Sequence, residues 1–361
     1  MENLKNFNFW KNKKILIIGH TGFKGSWLSK ILSMLKAKVY GCSLKTKYKN
    51  DFFSKIEIFK IIEKNFFVDI RNKKELEKVI KKVKPSIIFH FAAQSLVIES
   101  IKNPYSTFDT NIIGTLNLLE ILKNNKNLKS LIISTSDKCY ENKNIKKKSF
   151  KENDKLGGDD PYSASKAMKE ILINSYQKSQ FQKKIIATVR AGNVIGGGDR
   201  NKHRIVPDIF SSVERNKKII IRNPNHYRPW QFVLDPLYGY MLLAKKIYQN
   251  NVNYVGAYNF GPKKNGIIKV KDLLNKIKNI SKFKNKIKLI NKNKFNEKKV
   301  INLSYFKAKK SLKWSPVFDI NKTVKYTSDW YTSYNNKQKV IEITEFQINS
   351  YLRNISAKKL F

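Results

Sequence analysis

The feature that most constrains the fold is a set of three evenly spaced glycines near the start of the chain. Gly19, Gly22 and Gly25 follow the apolar stretch at 14–18 and precede a segment whose leucines and isoleucines recur at helical spacing. A strand, a glycine-rich turn and a helix in this order let the backbone approach a pyrophosphate at the helix N-terminus. Because Lys24 is not followed by the residues of a Walker motif, the turn predicts a dinucleotide site and not a P-loop.

Beyond this turn, short apolar segments alternate with amphipathic ones. The strand-like segments lie at 65–70, 85–95, 130–140 and 184–196, and the helix-like ones at 72–83, 107–125 and 160–178. This alternation predicts an α/β fold of the Rossmann type, with a doubly wound parallel sheet. The alternation is lost after Arg190. We therefore expect a dinucleotide-binding domain at 1–190 plus about 231–262, and a smaller C-terminal substrate-binding lobe at about 191–230 and 263–361.

The net charge of +46 is large enough to suggest a nucleic-acid or membrane partner. The basic residues, however, are mostly lysines spread along the whole chain among asparagines and isoleucines, as in LLNKIKNISKFKNKIKLINKNKFNEKK. This diffuse pattern indicates a compositional bias at solvated positions. We therefore expect no specific nucleic-acid binding.

Several kinds of segment are missing from the sequence. No stretch has the ~18 apolar residues of a membrane span, and the N-terminus lacks the apolar run of a signal peptide. Two cysteines, Cys42 and Cys139, are too few for a disulfide framework, and the four histidines do not have metal-ligand spacing. We expect a cytoplasmic protein with no membrane association and no metal site.

Arginine is distributed differently from lysine. The chain has eight arginines, and six of them lie between residues 190 and 228. In a chain where lysine is the common cation, clustered arginine predicts sites that need a fork of donors, and phosphate is the usual target of such a fork. A chance cluster that includes ordinary ion pairs is the alternative.

Two pairs of ionisable residues lie where strands and helices should meet a ligand. Asp137 and Lys138 end the apolar segment LIISTSDKCY. We expect an extended backbone there, with the two side chains on opposite sides and no ion pair between them; solvated surface charges are the alternative. Tyr162 and Lys166 are four residues apart on a predicted helix and so share a face. An ammonium beside a phenol lowers the pKa of the phenol, which allows it to take a proton from a hydroxyl.

Together these motifs resemble those of the extended short-chain dehydrogenase/reductase family, in its NAD-dependent epimerase/dehydratase group. The resemblance covers roughly residues 10 to 335, and the segments that carry it are GHTGFKGSWL, HFAAQSLV, TSDKCYEN, DPYSASK, RAGNVIGGGD and IRNPNHYRPWQFV. The first and third are similar to the CDP-glucose 4,6-dehydratase subgroup in particular, because other sugar-nucleotide dehydratases usually have Asp-Glu where this chain has Asp137 and Lys138.

The resemblance implies NAD as the cofactor and CDP-glucose as the substrate. It implies oxidation at C4 of the sugar, elimination of water across C5 and C6, and return of the hydride to C6. The product would be CDP-4-keto-6-deoxyglucose, a precursor of dideoxy sugars in surface polysaccharides such as O-antigens. It also implies a homodimer formed through the helices at 104–125 and 161–180.

The same resemblance implies roles for individual residues. In the catalytic set, Ser136 bonds the C4 oxygen, Asp137 is the acid at C6 and Lys138 is the base at C5, beside Tyr162 and Lys166. The residues implied in cofactor binding are Gly19, Thr21, Gly22, Phe23, Gly25, Asp69, Ile70, Ala92, Ala93, Tyr162 and Lys166. The residues implied in substrate binding are Gln94, Asn193, Arg204, Arg222 and Arg228.

The chain departs from the family pattern at two places. NAD enzymes of this fold usually have an acidic residue after the second strand, for the ribose, but this chain has Ser43, with Lys45 and Lys47 beyond it. NADP is therefore an alternative cofactor. Arg200 stands where the subgroup often has an aromatic residue. The alternative functions are a nucleotide-sugar 4-epimerase, a dehydratase for another NDP-hexose, and a cofactor-binding protein without activity.

Overall fold

A computed structural model describes most of the chain. The residues it describes are 7–46, 51–143, 149–183, 185–249, 252–290, 298–336 and 338–358. Within them the strands are β1 Lys14–Ile18, β2 Lys38–Ser43, β3 Lys64–Phe67, β4 Ile87–His90, β5 Ser130–Ser134, β6 Ile186–Ala191, β7 Asn193–Ile195, β8 Ile219–Arg222, β9 Tyr227–Phe232, β10 Gly256–Phe260, β11 Ile267–Lys269 and β12 Ile287–Ile290.

The helices alternate with these strands in the first half of the chain and dominate its end. They are α1 Phe23–Met34, α2 Phe52–Lys55, α3 Ile58–Ile61, α4 Lys73–Val83, α5 Val97–Lys102, α6 Pro104–Phe108, α7 Gly114–Leu122, α8 Pro161–Ser179, α9 Ile205–Glu214, α10 Leu234–Tyr248, α11 Val270–Ser281, α12 Phe306–Leu312, α13 Ile320–Asn335 and α14 Val340–Lys358. A π-helical turn, Asp109–Ile113, joins α6 to α7. In the described parts of the chain, no helix combines the length and the apolar composition that crossing a bilayer requires.

The central sheet contains seven strands in the order β10-β6-β5-β4-β1-β2-β3. Every neighbouring pair in this sheet runs parallel. Helices α4 and α8 pack against α7, while α1 packs against α10, so the crossover helices form two separate groups. The doubly wound parallel sheet predicted from the sequence is therefore confirmed.

Local sequence explains why these segments form helices. At the start of α4, the side chain of Asn72 accepts a hydrogen bond from the N–H of Glu75 at 3.1 Å, which satisfies one of the free donors of the first turn. The same helix buries Leu76, Val79 and Val83, which are spaced at one face of a helix. The polar face of α4 is left to its glutamates and lysines.

Two small sheets follow the central one. β7 begins at Asn193, directly after β6 ends at Ala191, and lies in a three-stranded sheet of order β11-β9-β7. β8 and β12 form a parallel pair. Because β6 leads straight into β7, this second region meets the carboxyl ends of the central strands.

The C-terminal helices return to the first half of the chain. Lys30 on α1 forms an ion pair with Glu345 on α14 at 2.5 Å. The hydroxyl of Tyr351 donates to the carboxylate of Asp235, at the start of α10, at 2.8 Å. The tail thus packs against two helices of the central sheet, and the division of the chain into the two predicted lobes stays a prediction.

Candidate active site

A cavity of about 950 Å³ opens at the carboxyl ends of the central strands. Its walls come from the turn after β1, the segments after β3, β4 and β5, the start of α8, and the region from β7 to β9. Every residue that the family resemblance implied for catalysis, cofactor binding or substrate binding lines this cavity. The parallel topology explains this convergence, because it brings the carboxyl ends of all the strands to one edge.

The glycine turn forms one end of the cavity. Gly19 has a φ of +92°, and a Cβ placed there would lie 2.6 Å from the backbone nitrogen of Ala92. A Cβ on Gly25 would lie 2.1 Å from the carbonyl oxygen of Gly19, so the packing of the protein itself excludes side chains at both positions. A Cβ on Gly22 would meet that carbonyl oxygen at 3.4 Å, an ordinary contact. The open space at Gly22 faces the cavity and fits the backbone approach of a dinucleotide.

The end of β2 is occupied by hydroxyls. The hydroxyls of Thr21 and Ser43 are 2.7 Å apart, at the position where an acidic residue was expected for an NAD ribose. The ammonium of Lys45 lies 5.8 Å from the ring centroid of Phe67, and Lys45 is not among the described residues that line the cavity. Lys47, the other lysine that left NADP open, lies outside the described residues.

Asp69 and Ile70 form the wall beside the end of β3. Three nitrogens of Arg71 contact the carboxylate of Asp69, the shortest at 2.7 Å, and Arg71 also reaches Asp109 at 3.3 Å. Hydrogen bonds from Arg71 hold the pKa of Asp69 below its ordinary value. Ile70 is buried against Gly114 of α7, where a Cβ would lie 2.6 Å from its side chain. Arg71 lines the cavity but was not among the predicted site residues.

Tyr162 and Lys166 lie in the first two turns of α8. The helix begins at Pro161, and the carboxylate of its N-cap residue, Asp160, accepts the N–H of Ser163 at 3.0 Å. The ammonium of Lys166 lies 5.5 Å from the ring centroid of Tyr162. The two side chains therefore share a face, as the spacing predicted.

The pKa of Tyr162 lies above its ordinary value, and not below it as the tyrosine–lysine spacing suggested. Burial raises the pKa of Tyr162 to about 12, against smaller opposing effects of a hydrogen bond with Ser136 and of Arg204. Burial, with the nearby Lys24 cation, lowers the pKa of Lys166 to about 8. Burial has the largest effect on the pKa of both groups, and the i, i+4 spacing alone does not reveal burial.

Asp137 and Lys138 lie at the centre of the cavity wall. The expected extended backbone is wrong here, because Asp137–Cys139 forms one 3₁₀ turn. Ser136 causes the turn: its hydroxyl accepts the N–H of Lys138 at 3.2 Å and donates to Oδ1 of Asp137 at 3.0 Å. Within the described residues, no ion pair joins the side chains of Asp137 and Lys138, as predicted. Oδ2 of Asp137 is buried, and no described residue bonds it.

The environment of Asp137 favours its protonated form. Burial raises the pKa of Asp137, against smaller lowering effects of Lys138, Ser136, Arg228 and Lys24. A buried carboxyl with a raised pKa is suited to act as a general acid. The solvated surface pair that was the alternative does not describe Asp137, which is 6% exposed.

Lys24 is a cavity residue that the sequence interpretation missed. It is the second residue of α1, and its ammonium lies 5.9 Å from the ring centroid of Tyr240. Burial and then Arg204 lower the pKa of Lys24 to about 8, while Asp137 and Asp199 act in the opposite direction. In the sequence, Lys24 served only to exclude a Walker motif, although its place inside the glycine turn could have marked it.

The arginines divide into two groups. Arg204 donates to Asp199 at 3.0 Å and to the hydroxyl of Ser95 at 3.1 Å, and it lines the cavity with Arg222 and Arg228. The other arginines of the cluster, Arg190, Arg200 and Arg215, are not among the described residues of the cavity wall. Arg190 pairs with Glu170 and Arg200 with Glu214. The fork interpretation stays a prediction for the three arginines of the cavity wall. The ion-pair alternative describes Arg190 and Arg200, and Arg204 also has an ion pair, with Asp199.

Gln94 and Asn193 differ in what their side chains do. Nε2 of Gln94 donates to the carbonyl of Leu96 at 3.0 Å and to the hydroxyl of Thr107 at 2.9 Å, so its amide supports its own loop. Asn193 is the first residue of β7 and lines the cavity. Among the described residues, no group of three or more histidine, cysteine or acidic side chains could hold a metal ion.

The known proteins that this sequence resembles include several sugar-nucleotide 4,6-dehydratases. The sequence profile of the GDP-mannose 4,6 dehydratase family matches residues 16–327. The chain is 36% identical to the CDP-glucose 4,6-dehydratase of Salmonella typhimurium over 352 residues, which cover 96% of this chain and 98% of that protein. It is 32% identical to the dTDP-D-glucose 4,6-dehydratase of Dictyostelium discoideum, over 68% of this chain and 58% of that protein.

Solved structures share the fold at lower identity. An epimerase of Methanothermobacter thermautotrophicus has a TM-score of 0.79 at 21% identity, covering 93% of this chain and 98% of that one. The dTDP-glucose 4,6-dehydratase of Bacillus anthracis, solved in complex with NAD, has a TM-score of 0.74 at 22% identity, covering 91% and 99%. These likenesses show that the chain shares the fold of these proteins over about nine-tenths of its length.

Proposed function

The chain belongs to the GDP-mannose 4,6 dehydratase family, and from this premise we propose that it is a CDP-glucose 4,6-dehydratase. This hydro-lyase converts CDP-glucose into CDP-4-keto-6-deoxyglucose and water, with NAD as cofactor. The observation that carries the proposal is the 36% identity to a CDP-glucose 4,6-dehydratase over nearly the full length of both chains. The buried Asp137 beside Lys138 in the same cavity as Tyr162 and Lys166 supports it.

The glycine turn and the end of β3 would hold the cofactor. Gly22 would leave room for the pyrophosphate, Asp69 and Ile70 would hold the adenine, and Tyr162 and Lys166 would hold the nicotinamide ribose. When bound, NAD would supply the hydride acceptor for oxidation at C4 of the sugar and the hydride for reduction at C6. NAD is favoured over NADP because Lys45 points to Phe67 and the hydroxyls of Thr21 and Ser43 occupy the ribose position. Much tighter binding of NADP in calorimetry would contradict this choice.

Oxidation at C4 requires removal of the hydroxyl proton. Tyr162 takes this proton as the phenolate, and Ser136 bonds the C4 oxygen. Since burial raises the pKa of Tyr162 to about 12, the phenolate depends on the cations that face it, Lys166 and Arg204. These cations and Ser136 lower the free energy of the charged form.

Elimination follows because a ketone at C4 acidifies the C5 proton. Lys138 removes this proton, and Asp137 protonates the departing C6 hydroxyl, which leaves as water. The raised pKa of Asp137 suits this role, because a general acid needs its proton. The nucleotide diphosphate is held by Arg204, Arg222 and Arg228, with Gln94 and Asn193 in the sugar-facing wall.

The test is incubation of the purified protein with NAD and a panel of CDP-, dTDP-, UDP- and GDP-glucose, with detection of the 4-keto-6-deoxy product. We expect this product from CDP-glucose at the highest rate. A 4-epimerase, the nearest alternative, would release the galactose epimer and no 4-keto product. Preference for another nucleotide would assign the chain to a different hexose.

Several further properties belong to this proposal. The enzyme is a cytoplasmic homodimer that serves surface-polysaccharide synthesis. It binds no specific nucleic acid. The segments at about 191–230 and 263–361 form the lobe that binds the nucleotide sugar. Exposed apolar side chains on the helices at 104–125 and 161–180 support the dimer, since Tyr105 is 81% and Ile171 60% exposed. Light scattering of the purified protein tests the dimer directly.

A further inference from the structure

A buried ion pair lies next to the catalytic turn, which is the 3₁₀ turn Asp137–Cys139 together with Ser136 before it. Glu170 is on α8, one helical turn after Lys166, and Arg190 is on β6. Both side chains are 4% exposed. Nε of Arg190 donates to Oε1 of Glu170 at 2.8 Å and Nη2 donates to Oε2 at 2.9 Å, which is a two-point contact.

Two threonine hydroxyls complete the bonding of this carboxylate. Thr135, the residue after β5, donates to Oε1 at 2.5 Å, and Thr188, on β6, donates to Oε2 at 2.7 Å. Burial acts to raise the pKa of Glu170, but the bonds from Arg190, Thr135 and Thr188 outweigh it, and its pKa lies below the ordinary value. The carboxylate is therefore ionised, with two donors on each oxygen.

Arg190 continues the network on the other side of the turn. Its Nη1 donates to the hydroxyl of Tyr140 at 2.6 Å and to the carbonyl of Glu152 at 2.9 Å. The guanidinium also lies 4.9 Å from the ring centroid of Tyr140, whose hydroxyl donates to Asn259 at 2.7 Å. The pair thus contacts Thr135 immediately before Ser136 and Tyr140 immediately after Cys139.

A buried ion pair is weak support for stability, because desolvation offsets most of the attraction between the charges. Its contacts suggest a different role, since they join α8, which carries Tyr162 and Lys166, to both ends of the turn that carries Ser136, Asp137 and Lys138. We propose that Glu170 and Arg190 are positioning residues, which fix the acid–base turn relative to the tyrosine–lysine pair through Thr135 and Tyr140. This inference rests on the proposed function for the roles of the turn and the pair.

The two threonines provide a matched test. Thr135→Val and Thr188→Val each remove one buried hydroxyl from the same carboxylate, but only Thr135 adjoins the catalytic turn. We expect Thr135→Val to lower kcat at least about tenfold with KM within about threefold, because small misplacement of reacting groups has large kinetic effects. Thr188→Val should keep both constants within about threefold of wild type while losing similar thermal stability.

A second measurement needs neither substrate nor cofactor. Cys139 lies inside the turn and is buried, so a thiol reagent reaches it only when the turn opens. In a Cys42→Ala background, which leaves Cys139 as the single thiol, we expect Thr135→Val to speed labelling at least about tenfold. Thr188→Val should label at the wild-type rate. Thr135→Ser keeps the hydroxyl and should match wild type in both measurements.

Equal losses of kcat and equal labelling rates in the two valine variants would overturn the positioning role, as would wild-type behaviour of Thr135→Val. If Thr135→Val does not fold, Thr135→Ser decides, since a tenfold loss of kcat there would also overturn it. Failure of the wild-type protein to act on any NDP-glucose would instead reject the proposed function. The labelling comparison would still test whether the hydroxyl of Thr135 keeps the catalytic turn closed.

Discussion

The two ends of the cavity are built on different physical principles. At the cofactor end, Gly19 and Gly25 are required by backbone contacts, and the N–H of Gly19 donates to the carbonyl of Cys42 at 2.7 Å. Shape decides what binds there. At the reacting end, ionisable side chains lie close together and away from water. The pKa values of Lys24, Asp137 and Lys166 are all shifted there. Charge decides what happens there.

This difference has a consequence for experiments. Substitutions at the cofactor end should act through volume, and their effects should not depend on pH. Substitutions at the reacting end should act through charge, and their effects should follow the ionisation of the groups that remain.

The largest effect is expected at Gly22. Gly22→Val should abolish cofactor binding, with an affinity loss of more than about 100-fold, because its side chain would fill the space that the dinucleotide backbone approach requires. The protein itself should fold, since a Cβ at this position makes only an ordinary contact of 3.4 Å. Calorimetric titration with NAD at pH 6 and pH 8 measures the loss, which should be equal at both.

Gly25→Val is the control for this prediction. A Cβ at Gly25 would lie 2.1 Å from the carbonyl oxygen of Gly19, so this variant should lose folded protein as well as cofactor binding. Retained NAD binding in Gly22→Val would show that the cofactor end is not shaped as described.

The next effect separates the steps of the reaction. Lys138→Met should still oxidise C4 but should not exchange the C5 hydrogen with solvent deuterium, because the base is gone. Asp137→Asn should keep C5 exchange and stall before loss of the C6 hydroxyl. Overall turnover should fall at least about 100-fold in both, as expected for loss of a general acid or base. Mass spectrometry of the recovered sugar measures the exchange, and normal C5 exchange in Lys138→Met would reject it as the base.

Much of the fold and the membership of the site could be predicted from the sequence. Hydrophobic periodicity identified the parallel sheet, and a parallel sheet brings the segments around Gly19, Asp69, Asp137 and Tyr162 to one edge whatever the details of packing. Local rules sufficed there because strand ends and helix starts are determined by nearby residues.

The parts that could not be predicted depend on contacts between distant residues. The sequence places Lys24 inside the glycine turn, but its interaction with Asp137 and Arg204 depends on the folded chain. The 3₁₀ turn depends on the rotamer of Ser136, and the raised pKa of Tyr162 depends on its burial. Arg190 belonged by sequence to the cluster assigned to phosphate, but a glutamate twenty residues earlier pairs with it in the interior.

A smaller effect is expected at Arg228. Arg228→Ala should raise KM for CDP-glucose by about 10- to 100-fold, the loss expected for a charge-assisted contact, and should lower kcat much less. The diphosphate is bound alike in ground and transition states, which explains the split. Steady-state kinetics at fixed ionic strength measure it. Arg215→Ala is the control, because Arg215 is exposed and outside the cavity wall, and an unchanged KM in Arg228→Ala would contradict the assignment.

The smallest predicted effect concerns Lys24 and is a shift in pH dependence. The Lys24 cation lowers the pKa of both Asp137 and Lys166, so Lys24→Met should raise both pKa values. The mechanism uses both groups in their protonated forms, and activity is lost as pH rises through their pKa values. The alkaline limb of kcat should therefore move to higher pH, by less than about one pH unit for a single charge in a partly solvated site. Lys24→Arg keeps a cation at this position and should not move the limb to higher pH. A pH profile of kcat from pH 6 to pH 10 distinguishes these outcomes. An alkaline limb that stays in place or moves to lower pH in Lys24→Met would show that Lys24 does not lower the pKa values of Asp137 and Lys166.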